Sequence, residues 1–175
     1  DLRGNPGGLL DQAAKVADPF LEDGVIVSTV GGSGGREGKR AARRGTAPPY
    51  PIVVLQNGSS ASASEIVTGA LKSHDRAVLV GQTTFGKGTV QLVFPRITPD
   101  GAALKLTIAQ YLLPGDVSIQ GVGVGPDVQL DPMTADTLEM DLFVEDNLLR
   151  ERDLSKSLIS NEKRSSDMPF YKLRY

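Results

Sequence analysis

Two short apolar runs with one helical segment between them constrain this chain more than any other feature. Pro51-Ile52-Val53-Val54-Leu55 is continuously apolar, the pattern of a strand buried on both faces. Ala77-Val78-Leu79-Val80 repeats that pattern. Between them, Ile66 with Ala70 and Val67 with Leu71 stand at spacing four, so Glu65 to Ser73 reads as a helix packed on one face. Farther on, Thr89–Phe94 and Leu104–Leu112 are strand-like and flank the turn Thr98-Pro99-Asp100-Gly101, which predicts a hairpin. Strand, helix and strand followed by a hairpin indicate an α/β domain with some antiparallel pairing.

The flanking segments are less regular. Residues 1–8, Asp-Leu-Arg-Gly-Asn-Pro-Gly-Gly, form a turn, with Asp1-Leu2-Arg3 reading as the end of a strand. Leu10, Ala13, Ala14 and Ala17 make a helical stripe that Pro19 stops, and Val25–Val30 is a β-branched strand. Gly31–Pro49 is rich in glycine and carries Arg36, Lys39, Arg40, Arg43 and Arg44, so it is expected to be a solvated surface loop. From Asp131 the apolar density falls. Leu138, Leu142, Val144, Leu148 and Leu149 fit an amphipathic helix over Thr134–Arg152, and Ser155–Tyr175 carries few signals. The expected division is a core over residues 1–130 and a charged, partly helical extension over 131–175.

Composition removes several functions. With 175 residues, one domain is expected. Nineteen Lys plus Arg against 21 Asp plus Glu give a net charge of −2, without the positive excess of a nucleic-acid binder. The absence of Cys removes disulfides, thiol catalysis and thiolate metal sites, and a lone histidine, His74, excludes a site needing two imidazoles. No metal or cofactor is expected.

Three polar patterns compete for chemistry. Gly81-Gln82-Thr83-Thr84-Phe85-Gly86-Lys87 matches the opening of a phosphate-binding loop, G-x-x-x-x-G-K. Gly88 follows where a Mg²⁺-binding hydroxyl belongs, and Thr89–Phe94 alternates like a strand where a helix should start, so nucleotide binding is not expected. Ser160-Asn161-Glu162-Lys163 fits S-x-x-K but lies in a charged tail without its partner motifs. The third pattern pairs Ser62 with Lys87. A serine nucleophile needs a base. His74 lies past the helix that begins near Ser62, about 15 Å along its axis at 1.5 Å per residue. A lysine base working near pH 7 must be held about three pH units below its free value near ~10.4, a cost of roughly 4 kcal/mol that burial can supply. Lys87 is better placed for burial than most lysines here, in a loop between two apolar strands, although a Gly-Lys-Gly loop also suits an exposed tight turn. Ser64 reads as a helix cap, and Ser59 and Ser60 as loop polarity.

Several of these segments together resemble one family. Asp1-Leu2-Arg3-x-Asn5-Pro6-Gly7-Gly8-Leu9, Ser60-Ala61-Ser62-Ala63-Ser64-Glu65-Ile66 with Gly69-Ala70-Leu71, and Thr84-Phe85-Gly86-Lys87-Gly88-x-Val90-Gln91 resemble the carboxy-terminal processing peptidases, or tail-specific proteases. Leu104-Lys105-Leu106-Thr107, Gln120-Gly121-Val122-Gly123 and Pro126-Asp127 are similar to that family too. The resemblance runs over residues 1–130.

It implies a serine endopeptidase that cuts protein substrates near unstructured C-termini through a Ser/Lys mechanism and an acyl-enzyme intermediate. By motif position, Ser62 is the nucleophile, Lys87 its general base and Gln91 the holder of the lysine amine. The N–H groups of Gly8 (or Gly7) and Ala63 form the oxyanion hole, with Glu65 and Thr84 in support. Physically, Ser62 just ahead of a helix places its neighbours near the positive end of the helix dipole, and glycines at 7 and 8 let backbone approach an oxyanion. Along a straight strand Gln91 would stand about 13 Å from Lys87 at 3.3 Å per residue, so Gly88 is expected to bend the backbone there. For Glu65, a helix N-terminal carboxylate is an equal reading. The implied fold is crotonase-like, built of ββα units. This chain corresponds to the C-terminal part of that core, without the N-terminal region and PDZ domain that precede it in the family. The alternative is a catalytically incompetent peptide-binding or assembly fragment. The family suggests a bacterial periplasm or cell envelope.

Overall fold

The computed structural model describes residues 1–131, 134–135, 140–141, 149–155, 157–160 and 171–174. In chain order the regular elements are α1 (Leu10–Ala17), β1 (Val25–Gly31), β2 (Arg36–Arg40), β3 (Val53–Gln56), α2 (Ala63–Ser73), β4 (Val78–Gly81), β5 (Thr89–Phe94), β6 (Leu104–Leu113), β7 (Val117–Ser118), β8 (Val128–Asp131), β9 (Thr134–Ala135), β10 (Met140–Asp141) and β11 (Tyr171–Arg174). The fold is mixed α/β, as the sequence patterns predict.

β3, α2 and β4 form the expected strand–helix–strand unit. β3 and β4 pair in parallel from Val53↔Val78 to Gln56↔Gly81, and β8 and β11 extend the sheet in the order β11-β8-β4-β3. Only one face of the two apolar runs is covered, contrary to the two-faced burial expected. Val54 and Leu79 point into the core, whereas Val53 and Val78 are about half exposed on the sheet's other, uncovered face. Ile26, Ile66 and Leu79 are among the fully buried side chains, each worth roughly 1.5–3 kcal/mol of transfer free energy.

The second sheet is antiparallel in the order β2-β1-β6-β5, with β7 added to β6. α2 packs against α1, β1, β6 and β4, so it lies between the sheets, and every residue from Ala63 to Leu71 is buried. This central position holds its N-terminal residue rigidly. At its other end Lys72 reaches Asp127 at 3.2 Å and the Gly125 carbonyl at 2.8 Å.

The segment expected to be a loop, Gly31–Pro49, contains a strand. Gly34 N–H donates to the Gly31 carbonyl and Gly31 N–H to the Gly35 carbonyl, both at 2.9 Å, closing a turn that sends β2 back along β1. All five β2 residues are exposed. An edge strand wet on both faces needs no apolar alternation, and its charges discourage edge-to-edge pairing. Arg36 pairs with Asp116 and Lys39 with Asp11.

The hairpin forms as expected, from Thr89↔Gln110 to Phe94↔Leu104, with a register break between Val90 and Gln91 that leaves Ile108 as the extra residue on β6. The helix expected over Thr134–Arg152 is not found where the chain is described. Met140 pairs with Ala135 and Asp141 with Thr134 as antiparallel strands, and Glu151–Asp153 is a single 3-10 turn. Leu138, Leu142, Val144 and Leu148 lie outside the described residues, and Leu149 is exposed.

Candidate active site

The N-terminal turn is stitched to the loop that leads into α2. Leu2 N–H donates to the Leu55 carbonyl at 2.8 Å, Gly4 N–H to Asn57 Oδ1 at 2.9 Å and Ala61 N–H to the Asn5 carbonyl at 3.0 Å. Two serines first read as a cap and as loop polarity belong to this joint. Ser60 is fully buried and donates to the Leu2 carbonyl at 2.7 Å, while Ser64 Oγ donates to the Asn5 carbonyl at 3.0 Å. The N-cap position of α2 is Ser62 instead. Gly7, at φ +95°, presses its backbone against that residue. A Cβ on Gly7 would stand 2.5 Å from the Ala61 carbonyl oxygen, 2.7 Å from Ala63 N and 2.9 Å from Ser62 Cβ.

Ser62 is half-buried and holds φ 56°, ψ −116°, a conformation that costs a non-glycine residue roughly 1–3 kcal/mol. It persists because its surroundings over-determine it. Ser62 N–H donates to Glu65 Oε2 at 2.8 Å, and the Ser62 carbonyl accepts from Glu65 and Ile66 N–H. In the first turn of a helix the N–H groups have no intrahelical acceptor. Ser64 N–H is taken by the Ala61 carbonyl and Glu65 N–H by that of Ser62, whereas Ala63 N–H has no acceptor among the described residues. Gly8 N–H likewise has none, while Gly7 N–H is engaged by Asn5 Oδ1 at 2.9 Å.

Glu65 joins this helix end to the loop that carries Lys87. Its side chain is fully buried and accepts four hydrogen bonds. Ser62 N–H and Lys87 N–H reach Oε2 at 2.8 and 2.9 Å; Thr84 Oγ1 and Gly86 N–H reach Oε1 at 2.5 and 2.7 Å. Burial pushes its pKa from 4.5 up to about 7, against the lowering effect of those four donors. Thr84 Oγ1 in turn accepts Val124 N–H at 2.7 Å. The N–H groups of Gly86 and Lys87, which a phosphate-binding loop would turn toward its ligand, are thus occupied by a carboxylate, and β5 follows where a helix would be needed.

The Lys87 loop rests on the turn at 119–124. Gly121 N–H donates to the Gly86 carbonyl and Gly88 N–H to Gln120 Oε1, both at 2.8 Å. A Cβ on Gly123 would lie 2.3 Å from the Thr84 carbonyl oxygen, so only glycine admits this approach. Lys87 itself is half-buried, and among the described residues no carboxylate pairs with its Nζ.

Two participants were given no role by the sequence, Gln120, which stood in a motif, and Tyr111, which stood in none. Gln120 links Gly88 to Glu151 Oε1 through its amide at 3.0 Å. Tyr111, 2% exposed, donates its hydroxyl to the Lys87 carbonyl, while its N–H donates to the Gly88 carbonyl at 3.0 Å. Nothing marks it in the apolar run of β6 except the hydroxyl on a core position. Other residues stand apart. Gln91 is exposed at the register break opposite Thr107, and no hydrogen bond joins it to Lys87 among the described residues. The irregularity falls at Val90/Gln91 rather than at Gly88. His74 caps the far end of α2, donating Nε2–H to the Val25 carbonyl at 2.8 Å. Ser160 is buried, and Lys163 lies outside the described residues.

Ser62 at the N-terminus of α2 is thus tied through one buried carboxylate to the loop that carries Lys87. Residues 1–130 match peptidase family S41, and the chain belongs to that family. It is 50% identical over 132 residues to a carboxy-terminal-processing protease of Bartonella bacilliformis, covering 75% of this chain and 30% of that protein. It is 40% identical over 132 residues to the chloroplastic C-terminal processing peptidase of Tetradesmus obliquus, covering 75% of this chain and 28% of that protein. A solved photosystem II D1 C-terminal processing protease superposes with TM-score 0.67 at 39% identity, over 75% of this chain and 33% of the other. The chain spans about a third of the length of these relatives.

Proposed function

We propose that this chain carries the nucleophile and base of a serine endopeptidase that cleaves protein substrates near their C-termini. The observation that carries this reading is the shared carboxylate. Glu65 Oε2 accepts the backbone N–H of both Ser62 and Lys87, so nucleophile and base are set by one group.

In the proposed reaction neutral Lys87 Nζ takes the Ser62 proton as Oγ attacks the scissile carbonyl. The oxyanion that forms is met by the N–H groups of Ala63 and Gly8, neither of which has an acceptor among the described residues. Gly7 serves by close approach, its own N–H being engaged. Lys87 then passes the proton to the departing amine, leaving an ester on Ser62 that water hydrolyses. Thr84 and Glu65 position the two loops. Gln91 would orient the lysine amine once β5 brings it inward from its exposed position. The proposed architecture is the crotonase-like core of ββα units, and the proposed setting is a bacterial periplasm or cell envelope. The partners are protein or peptide chains with unstructured C-termini, presented by a PDZ domain elsewhere in the whole protein.

Incubation with an unfolded polypeptide, with products mapped by mass, tests the reading. Cleavage that survives metal chelators and disappears in Ser62→Ala supports it. Peptide binding with no cleavage supports the other reading, a binding or assembly piece.

A further inference from the structure

We propose that Glu151 is a positioning residue for Lys87, acting through the Gln120 amide on the backbone of the lysine loop. The proposal rests on the Ser62/Lys87 reading and brings into it a residue beyond the family-matched segment 1–130.

Every backbone polar group from Gly86 to Gly88 has a partner, and the partners differ in what holds them. Gly86 N–H and Lys87 N–H donate to the two Glu65 oxygens at 2.7 and 2.9 Å. The Gly86 carbonyl accepts Gly121 N–H at 2.8 Å, the Lys87 carbonyl accepts the Tyr111 hydroxyl, and the Gly88 carbonyl accepts Tyr111 N–H at 3.0 Å. Gly88 N–H donates to Gln120 Oε1 at 2.8 Å. Glu65 and Tyr111 are buried members of α2 and β6, and Gly121 donates from the backbone. The acceptor for Gly88 is instead a side-chain amide, with an oxygen at one end, two N–H donors at the other, and either end free to face the loop.

Glu151 decides which end that is. Gln120 is 3% exposed, so its amide must find its partners within the protein. Its Nε2 donates to Glu151 Oε1 at 3.0 Å and to Ser157 Oγ at 3.4 Å. A hydroxyl can accept or donate, whereas a carboxylate only accepts. The carboxylate therefore draws the Nε2 end to itself and leaves Oε1 for Gly88. Turned the other way, the amide would set a donor against the buried Gly88 N–H and release the residue next to Lys87. Glu151 also donates its own N–H to the Phe85 carbonyl at 3.2 Å, so one residue grips the loop on both sides of the lysine. If these contacts only fasten the extension to the core, their loss lowers stability without singling out Lys87.

The test uses a fluorophosphonate, which an activated serine attacks at phosphorus with loss of fluoride as its proton passes to Lys87, and follows labelling of Ser62 by mass. Glu151→Leu should slow labelling roughly 10- to 100-fold at saturating reagent, with less than about twofold change in the half-saturating concentration. In a Lys87→Ala background, where labelling is already slow, the same substitution should cost less than about twofold, because its effect passes through the lysine. Above neutral pH, Gln120→Glu sets two carboxylates face to face and should also be slow. Adding Glu151→Gln to it reverses the polarity of the link, restores an acceptor for Gly88 N–H and should bring the rate back to within about threefold of the unsubstituted protein. Unchanged labelling in Glu151→Leu overturns the proposal, as does an equal loss in both backgrounds. If Glu151→Leu does not fold, the exchanged pair decides: recovery supports the proposal, and a double variant no faster than Gln120→Glu alone overturns it. No labelling of the unsubstituted protein overturns the Ser62/Lys87 reading itself and this proposal with it.

Discussion

Ser62 and Lys87, 25 residues apart in the chain, donate their backbone N–H groups to the same oxygen of Glu65, at 2.8 and 2.9 Å. Ser62 is thereby held in a left-handed conformation at the head of a buried helix, and the Lys87 loop is fixed to the same point. Displacement of either backbone is felt by the other through a single rigid side chain.

Glu65→Gln tests that coupling. The amide group cannot accept at both oxygen positions, so whichever way it turns at least one buried N–H faces a donor. The expected cost is about 1–3 kcal/mol of stability, with a fall of more than roughly tenfold in Ser62 reactivity. Urea unfolding and the rate of fluorophosphonate labelling read the two effects.

The raised pKa of Glu65 makes stability depend on pH in a definite direction. Between 4.5 and about 7 the folded protein retains a proton that the unfolded chain has released. The associated stability is fully present below 4.5 and is lost as pH rises through about 7, amounting to about 3 kcal/mol. Glu65→Gln lacks this contribution. Urea unfolding on both sides of the window should show the unsubstituted protein losing more stability than the variant, and parallel behaviour would contradict the assignment.

Gly7→Ala and Gly8→Ala should differ sharply. At Gly7 the added methyl meets backbone atoms of Ala61 and Ala63 at 2.5 and 2.7 Å in a left-handed conformation, whereas at Gly8 it meets nothing within 4 Å. Gly7→Ala is expected to lower stability by more than about 2 kcal/mol and to abolish labelling at Ser62. Gly8→Ala keeps its N–H and should remain within about 0.5 kcal/mol and within a few-fold of normal reactivity. Thermal melts and labelling rates compare them.

Thr84→Val keeps the shape but removes the hydroxyl that joins Glu65 Oε1 to Val124 N–H. A buried N–H loses its acceptor, and Glu65 loses one of four donors. About 2 kcal/mol of destabilisation is expected by urea unfolding, with slower labelling of Ser62.

The elements legible in the sequence are those whose burial follows a period. α1 and α2 show apolar residues at spacing three and four, and β5 and β6 flank a Pro-Asp-Gly turn; all four form. β2 was not legible because a strand of Arg, Glu, Gly and Lys exposed on both faces has the composition of a loop. The half-exposed faces of β3 and β4 were hidden for the opposite reason, since Val53 and Val78 are apolar yet lie on an uncovered face. At the site, Ser62, Glu65, Thr84 and Lys87 stood in motifs, whereas their mutual geometry depends on long-range contacts no local pattern encodes. Ser60 and Ser64 read as generic polarity because their acceptors, the carbonyls of Leu2 and Asn5, lie more than fifty residues away. Tyr111 was concealed by its own burial: in an apolar strand, a tyrosine looks like core.

The central claim is that Ser62 is activated by Lys87, and the most direct measurement is the rate of fluorophosphonate labelling at Ser62 in Lys87→Arg. Arginine keeps much of the length, but its guanidinium stays charged and cannot accept a proton near neutral pH. The account predicts rapid labelling of the unsubstituted protein and almost none in Lys87→Arg, with both proteins equally folded. Labelling of Lys87→Arg at the unsubstituted rate would contradict it.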